Sequence, residues 1–269
     1  MRRRPLLFGA GRAYRSLKNA ITVSLIVTLC VFGGGVVGLA LHRVVPRSHL
    51  TKETQEVIRL GTGMMSIMAS LVLGLLIATA KTTYDRTEHD IRTYAAELIL
   101  LNETLRDYGN DAASSRTLLR EYTAQLLEDN WPTHDRPVVV ENQAAGTMLE
   151  HVREAIRALK PVDDGQRWLQ DQALQINVSL LRQRWLLIEQ NGPSVQPVVV
   201  IVLVSWISMI FASFGLNAPR NGTIVVAFLV CSMAVGGSIF LILEMDDPLT
   251  GVLKVHSGPV VSALSHMSP

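Results

Sequence analysis

Three carboxylates crowd into four residues, Glu244, Asp246 and Asp247, with Pro248 and Gly251 following. Carboxylate oxygens are hard ligands, so calcium is the ion that such a cluster would suit. The spacing is not that of an EF-hand loop, and a solvated cluster at a helix end is the plainer reading. Other metals have less to recommend them. The seven histidines (42, 49, 89, 134, 151, 256 and 266) give no pair four residues apart and no cysteine companion. Glu88-His89-Asp90 is dense in charge, but adjacent helical residues point in different directions. Gly33-Gly34-Gly35, with Gly38 one turn on, lies in an apolar run with no Lys-Ser/Thr after it, so close helix packing is expected there rather than a phosphate loop. Cys30 and Cys231 also fall in apolar stretches, where they read as small buried hydrophobes rather than a redox pair. No serine sits on a nucleophile elbow. No enzyme is expected.

A different chemistry is written between Leu60 and Ala80. At helical spacing Gly63, Ser66, Ser70 and Gly74 share one face, and Met65, Met68, Val72 and Leu76 run along the opposite one. One reading is small-residue packing on the first face and lipid contact on the second. The other is that several copies surround an axis and stack Met, Val and Leu into rings, a hydrophobic constriction that gates by dewetting. Thr79, Lys81, Asp85 and Arg86 would then stand at its mouth. Lys81 and Arg86 would favour anions, and Asp85 and the nearby Asp90 cations.

The elements that must position these residues are membrane helices. Hydrophobic residues make up 48% of the chain and charged residues 18%, against about 25% charged in an ordinary soluble domain. A net charge of +2 is too small to imply a nucleic-acid partner. Four uncharged stretches reach the roughly 20 residues needed to cross a bilayer: residues 20–41, 60–80, 195–216 and 223–243. The first is longer than the apolar core of a signal peptide, which runs to about 15 residues. The basic residues Arg2, Arg3, Arg4, Arg12, Arg15 and Lys18 precede it, and the short turn between the last two spans carries only Arg220. The positive-inside rule then places both termini in the cytoplasm. The expected plan is a basic tail (1–19), a hairpin (20–80), a cytoplasmic helical segment (81–192), a second hairpin (193–243) and a cytoplasmic tail (244–269).

The segment after Ala80 is periodic. Tyr84, Ile91, Leu98 and Leu105 recur every seven residues, with Thr87, Tyr94, Leu101 and Tyr108 three after each. Neither Gly nor Pro interrupts the chain between Gly74 and Gly109, so the second span is expected to continue unbroken for roughly 50 residues, about 75 Å. Three further helices follow. One is capped by Ser115 and ends before Trp131-Pro132, one stops at Pro161, and one starts at Asp164 and is broken by Asn191-Gly192-Pro193. Val138-Val139-Val140 is the one weak strand candidate. An all-α membrane protein is the expected fold class.

This layout, with Leu73-Gly74 and Tyr84-Asp85-Arg86 on the extended helix, resembles the bacterial bestrophin-like family, relatives of the bestrophin ion channels. Also similar are Trp206 with the turn Gly215-Leu216-Asn217-Ala218-Pro219-Arg220-Asn221, and the run from Leu243 through Asp247-Pro248 to Gly251. The resemblance implies a homopentamer in the bacterial inner membrane, with an axial pore formed by the second helix and passing monovalent ions. It gives Met65, Met68, Val72 and Leu76 the part of the pore neck, and Glu244, Asp246 and Asp247 that of acidic calcium ligands. No phenylalanine, the usual bulky residue of a bestrophin neck, occurs in the second helix. A membrane-anchored scaffold or sensor, docking a partner through its cytoplasmic helices, would use the same elements without conducting.

Overall fold

All regular structure among the described residues is helical. The structure is a computed structural model, and it describes residues 10–41, 52–132, 143–189, 195–219, 221–249 and 252–267. The elements are α1 (Ala10–Leu41), α2 (Lys52–Tyr108), α3 (Ala113–Asn130), α4 (Gln143–Arg157), α5 (Asp164–Glu189), α6 (Pro197–Asn217), α7 (Gly222–Asp246) and α8 (Gly258–His266). Four of them, α1, α2, α6 and α7, are long and apolar enough to cross a membrane. The chain divides into two units. One comprises residues 16–83 and 193–247, the other residues 1–15, 84–192 and 248–269. The Val138–Val140 run and the Asn191–Pro193 breaker lie outside the described residues.

In the first unit the four apolar helices close on a core that includes Val27, Val31, Ala69, Leu76, Leu203, Ile207, Ile239 and Ile242. Lipid is as apolar as leucine, so association here rests on close packing rather than on the hydrophobic effect. The glycines show it. A Cβ on Gly34 would lie 2.5 Å from the Ser208 carbonyl oxygen, and one on Gly38 would lie 2.0 Å from that of Ala212. From the other side, a Cβ on Gly215 would meet the Gly35 carbonyl oxygen at 2.2 Å. The backbones of α1 and α6 therefore touch along two turns, as the glycine run led us to expect. Ser24 adds a hydrogen bond from its hydroxyl to the Gly236 carbonyl on α7, at 2.7 Å. Cys30 and Cys231 depart from expectation. Both are exposed thiols on the outer surface of the helices, a surface as apolar as a core, so apolar neighbours in sequence did not imply burial.

In the second unit the heptad stripe is the spine. Ile91, Tyr94, Leu98, Leu101, Leu105 and Tyr108 of α2 are all buried, and they pack with Leu119, Tyr122, Leu149, Ile156 and Leu180. α2 runs 57 residues without interruption and stops at Gly109, whose φ of 114° is a conformation that side chains resist. A 3-10 turn at Asn110–Ala112 leads into α3. Ser115 is therefore not the cap expected of it: it lies inside α3, fully buried. α5 starts at Asp164, as expected, and the Gln166 amide donates to Asp163 Oδ1 at 2.7 Å, so Asp163 caps it. After α7 the chain is held by the Val255 amide donating to the Pro248 carbonyl (2.9 Å) and by Trp131 Nε1 donating to the Val255 carbonyl (2.9 Å). α8, at nine residues too short to display a period in sequence, buries Val260 and Ala263 in this core.

Within the same core the hydroxyls of Tyr94 and Tyr122 share a hydrogen bond. The buried Arg184 guanidinium donates to Tyr122. Burial pushes the Tyr122 phenol above its ordinary value, and the bonds from Tyr94 and Arg184 offset this only in part. The folded chain thus holds the phenolic proton more tightly than the unfolded chain does. Its stabilising share is complete below about pH 10 and is lost as pH rises through the raised value. Melting curves recorded from neutral to strongly alkaline pH should show this loss, and Tyr122→Phe should remove its share of the alkaline slope.

Candidate functional site

The faces of α2 within the membrane unit decide what this helix can do. Thr62, Ala69, Leu76 and Ala80 are buried, and Met65, Val72 and Leu73 are half-buried against the same core. Leu76 retains 8% exposure. Opposite them stand Leu60, Met64, Ile67, Leu71 and Leu75, with Ile67 at 72% and Leu71 at 74% exposed. Gly63, Ser70 and Gly74 are interleaved among them and exposed as well. Met65, Val72 and Leu76 face the interior of their own subunit because a 3.6-residue period gives every helix one stripe for its neighbours, and here that stripe packs into the core of the membrane unit. Met68, at the flank, is exposed, as are Thr79 and Lys81. In the other unit Asp85 and Arg86 of α2 are exposed too.

A recess of about 730 Å3 opens between the start of α2 and the end of α6. Glu56, Arg59 and Ser66 stand on one wall, Ser213 and Asn217 on the other, and the hydroxyls of Thr62 and Ser213 are hydrogen-bonded at 2.9 Å. Sequence reasoning missed it because its polar groups are spread over two helices far apart in the chain.

The carboxylates at the end of α7 have structural work. Glu244 is 2% exposed. Asp246 Oδ2 accepts the Val195 amide at 3.2 Å, tying the end of α7 to the residues that enter α6. Asp247 takes up the C-cap position of α7. Among the described residues no three His, Cys, Asp or Glu side chains are grouped so as to hold a metal ion.

The remaining motif residues are mostly architectural. The Asn221 side chain caps α7 by accepting the Ile224 amide at 3.4 Å. Asn221→Ala should lower stability by about 0.5–1 kcal/mol, read as a small drop in melting temperature. Pro219 is exposed, Pro248 is buried, and the Tyr84 hydroxyl donates to the Lys254 carbonyl at 3.5 Å. Arg220 and Gly251 lie outside the described residues.

The sequence profile of the bestrophin-like domain matches residues 29–260, most of the chain. The chain belongs to the bestrophin-like family. Crystal structures of a bacterial bestrophin homologue from Klebsiella pneumoniae share its fold. One, an isoleucine-to-threonine point mutant, superposes with a TM-score of 0.64 at 12% identity, covering 90% of this chain and 97% of the other. Another, a tyrosine-to-alanine mutant of the same homologue, gives 0.60 at 13% identity, covering 88% and 97%. A crystallised membrane protein with a proline-to-alanine mutation gives 0.58 at 12% identity over 91% and 97%. No curated protein matches the chain. Identities this low carry the bestrophin fold across and leave the chemistry of individual side chains to be argued from this chain.

Proposed function

We propose that this bestrophin-like chain is the subunit of a homo-oligomeric channel for monovalent ions, a pentamer as the family resemblance implies, with the exposed face of α2 turned to the pore axis. That face carries the reading. Exposed leucines alone are equally at home in lipid, but the glycines are not explained by lipid. A Cβ on Gly61, Gly63 or Gly74 would meet nothing within its own subunit. A glycine inside a helix costs up to about 1 kcal/mol relative to alanine, and small residues in membrane helices serve the close approach of another backbone. A neighbouring copy is the partner that would use them. Around an axis, Ile67 and Leu71 would stack as apolar rings one turn apart, able to gate by dewetting. Thr79 and Lys81 follow toward one mouth. The basic amino-terminal tail supports an inner-membrane orientation with both termini in the cytoplasm.

Purified protein in planar bilayers tests this. An ion-selective current is expected, and Leu71→Ala should alter its unitary conductance or open probability by severalfold. Gly74→Leu should leave the subunit's helix content unchanged while lowering the oligomeric mass in detergent. An oligomer that passes no current, or a strict monomer, would overturn the reading. One feature favours a scaffold instead: α5 exposes Trp168, Val178 and Trp185. A silent membrane protein that captures a soluble partner through α5 would be its signature.

A further inference from the structure

Among the described residues, one face of α5 is left uncovered. Trp168, Asp171, Gln175, Val178, Arg182 and Trp185 are all exposed, and they recur at alternating steps of three and four residues. On a helix these six positions fall within a sector of about 100°. Ala173, Ile176, Leu180 and Arg184 are buried on the opposite side. Trp168 and Trp185 are 63% and 65% exposed, and Val178 between them 54%. A lone exposed apolar residue is ordinary. Two tryptophans and a valine in one line mark a surface that another protein covers, and steps of three and four are the spacing of a helix-pairing seam.

The order of residues along the face says which protein. About the point between Ile176 and Asn177, Trp168 mirrors Trp185, Asp171 mirrors Arg182 and Gln175 mirrors Val178. Two copies of α5 laid antiparallel across a two-fold axis therefore set tryptophan against tryptophan and, twice over, carboxylate against guanidinium. Laid parallel and in register, the same face sets Asp171 on Asp171 and Arg182 on Arg182, like charges that oppose association.

We propose that α5 docks antiparallel on the α5 of a second copy of this chain, through Trp168, Asp171, Val178, Arg182 and Trp185. Such a contact is isologous, whereas neighbours in a ring meet through two different surfaces. It therefore joins copies belonging to separate oligomers, and it stands equally for a protein that forms no ring. The paired helices overlap for about 25 Å. Their four tryptophans bury roughly several hundred Å2, less than the roughly 1,200 Å2 of a stable complex. The contact is a weak one, made where chains are concentrated in a membrane.

Cysteine cross-linking of the full-length chain in membranes tests it, in a background carrying Cys30→Ala and Cys231→Ala. Arg167 and Leu186 flank the face and mirror each other about the same point, about 28 Å apart along one helix. Chains carrying Arg167→Cys under one epitope tag, co-expressed with chains carrying Leu186→Cys under another, are expected to give a disulfide-linked dimer bearing both tags. Either chain alone should not. Adding Asp171→Arg, or Arg182→Asp, to both chains should lower the linked fraction roughly tenfold, since each reversal acts twice across the axis. The two reversals together should restore it. Both positions are exposed, so these variants should fold as the parent does. No linked dimer in the mixture, equal linking of either chain alone, or no recovery in the double reversal overturns the proposal. A soluble partner or a lipid surface covering α5 would give the first of these results.

Discussion

Gly38→Leu is expected to abolish the folded protein. A Cβ at that position would stand 2.0 Å from the Ala212 carbonyl oxygen, and the obstruction is backbone rather than the end of a flexible side chain. Relief requires α1 and α6 to move apart, which also opens the contacts at Gly34 and Gly215, since all three lie along one seam. Close packing is the main source of association between helices in lipid, so nothing compensates. The loss should exceed about 3 kcal/mol, at or beyond the upper end for an overpacked core. It would be read as the disappearance of a monodisperse peak in detergent. Gly33→Ala is the matched control. A Cβ there meets nothing within 4 Å, and helix propensity favours alanine, so its melting temperature should hold or rise slightly. Wild-type behaviour of Gly38→Leu would mean that α1 and α6 do not meet where the structure puts them.

Leu76→Ala and Ile67→Ala should separate stability from conduction. Leu76 is enclosed by its own subunit, and truncation leaves a cavity costing about 2–4 kcal/mol, seen as a lower melting temperature. Ile67 is exposed at 72% and supports little of that core, so Ile67→Ala should leave subunit stability within about 0.5 kcal/mol of the parent. Conduction should respond the other way round, with Ile67→Ala widening the proposed ring and changing single-channel current. A conductance change confined to Leu76→Ala, with melting temperature untouched, would restore the face first expected from sequence and remove the one assigned here.

Two faces of one helix illustrate how far the sequence could be read. That residues 60–80 form an apolar helix continuing to Tyr108 was legible, because the absence of Gly and Pro after Gly74 and the stripe from Tyr84 to Tyr108 are local facts. Which face of the span looks inward was not. In a soluble helix the apolar side marks the core, and the buried stripe from Ile91 onward followed that rule. In the membrane span both sides are apolar, so Met65, Val72 and Leu76 carry no mark that distinguishes them from Leu60, Ile67 and Leu71. The same ambiguity concealed the exposure of Cys30 and Cys231. Ser115 was misplaced as a cap for another reason: capping depends on the turn that precedes a helix, here the 3-10 turn before α3.

Residue order alone set the class of molecule: four apolar helices, a long second helix that outlasts its span, and a helical segment with a periodic spine. Those properties depend on composition and on spacing along one strand of chain. Which glycines are used inside the subunit and which are left facing out, and that α8 joins the core beside Trp131, emerged only on folding. Each of these brings together groups that are distant in sequence, and no local period records which distant surfaces will meet.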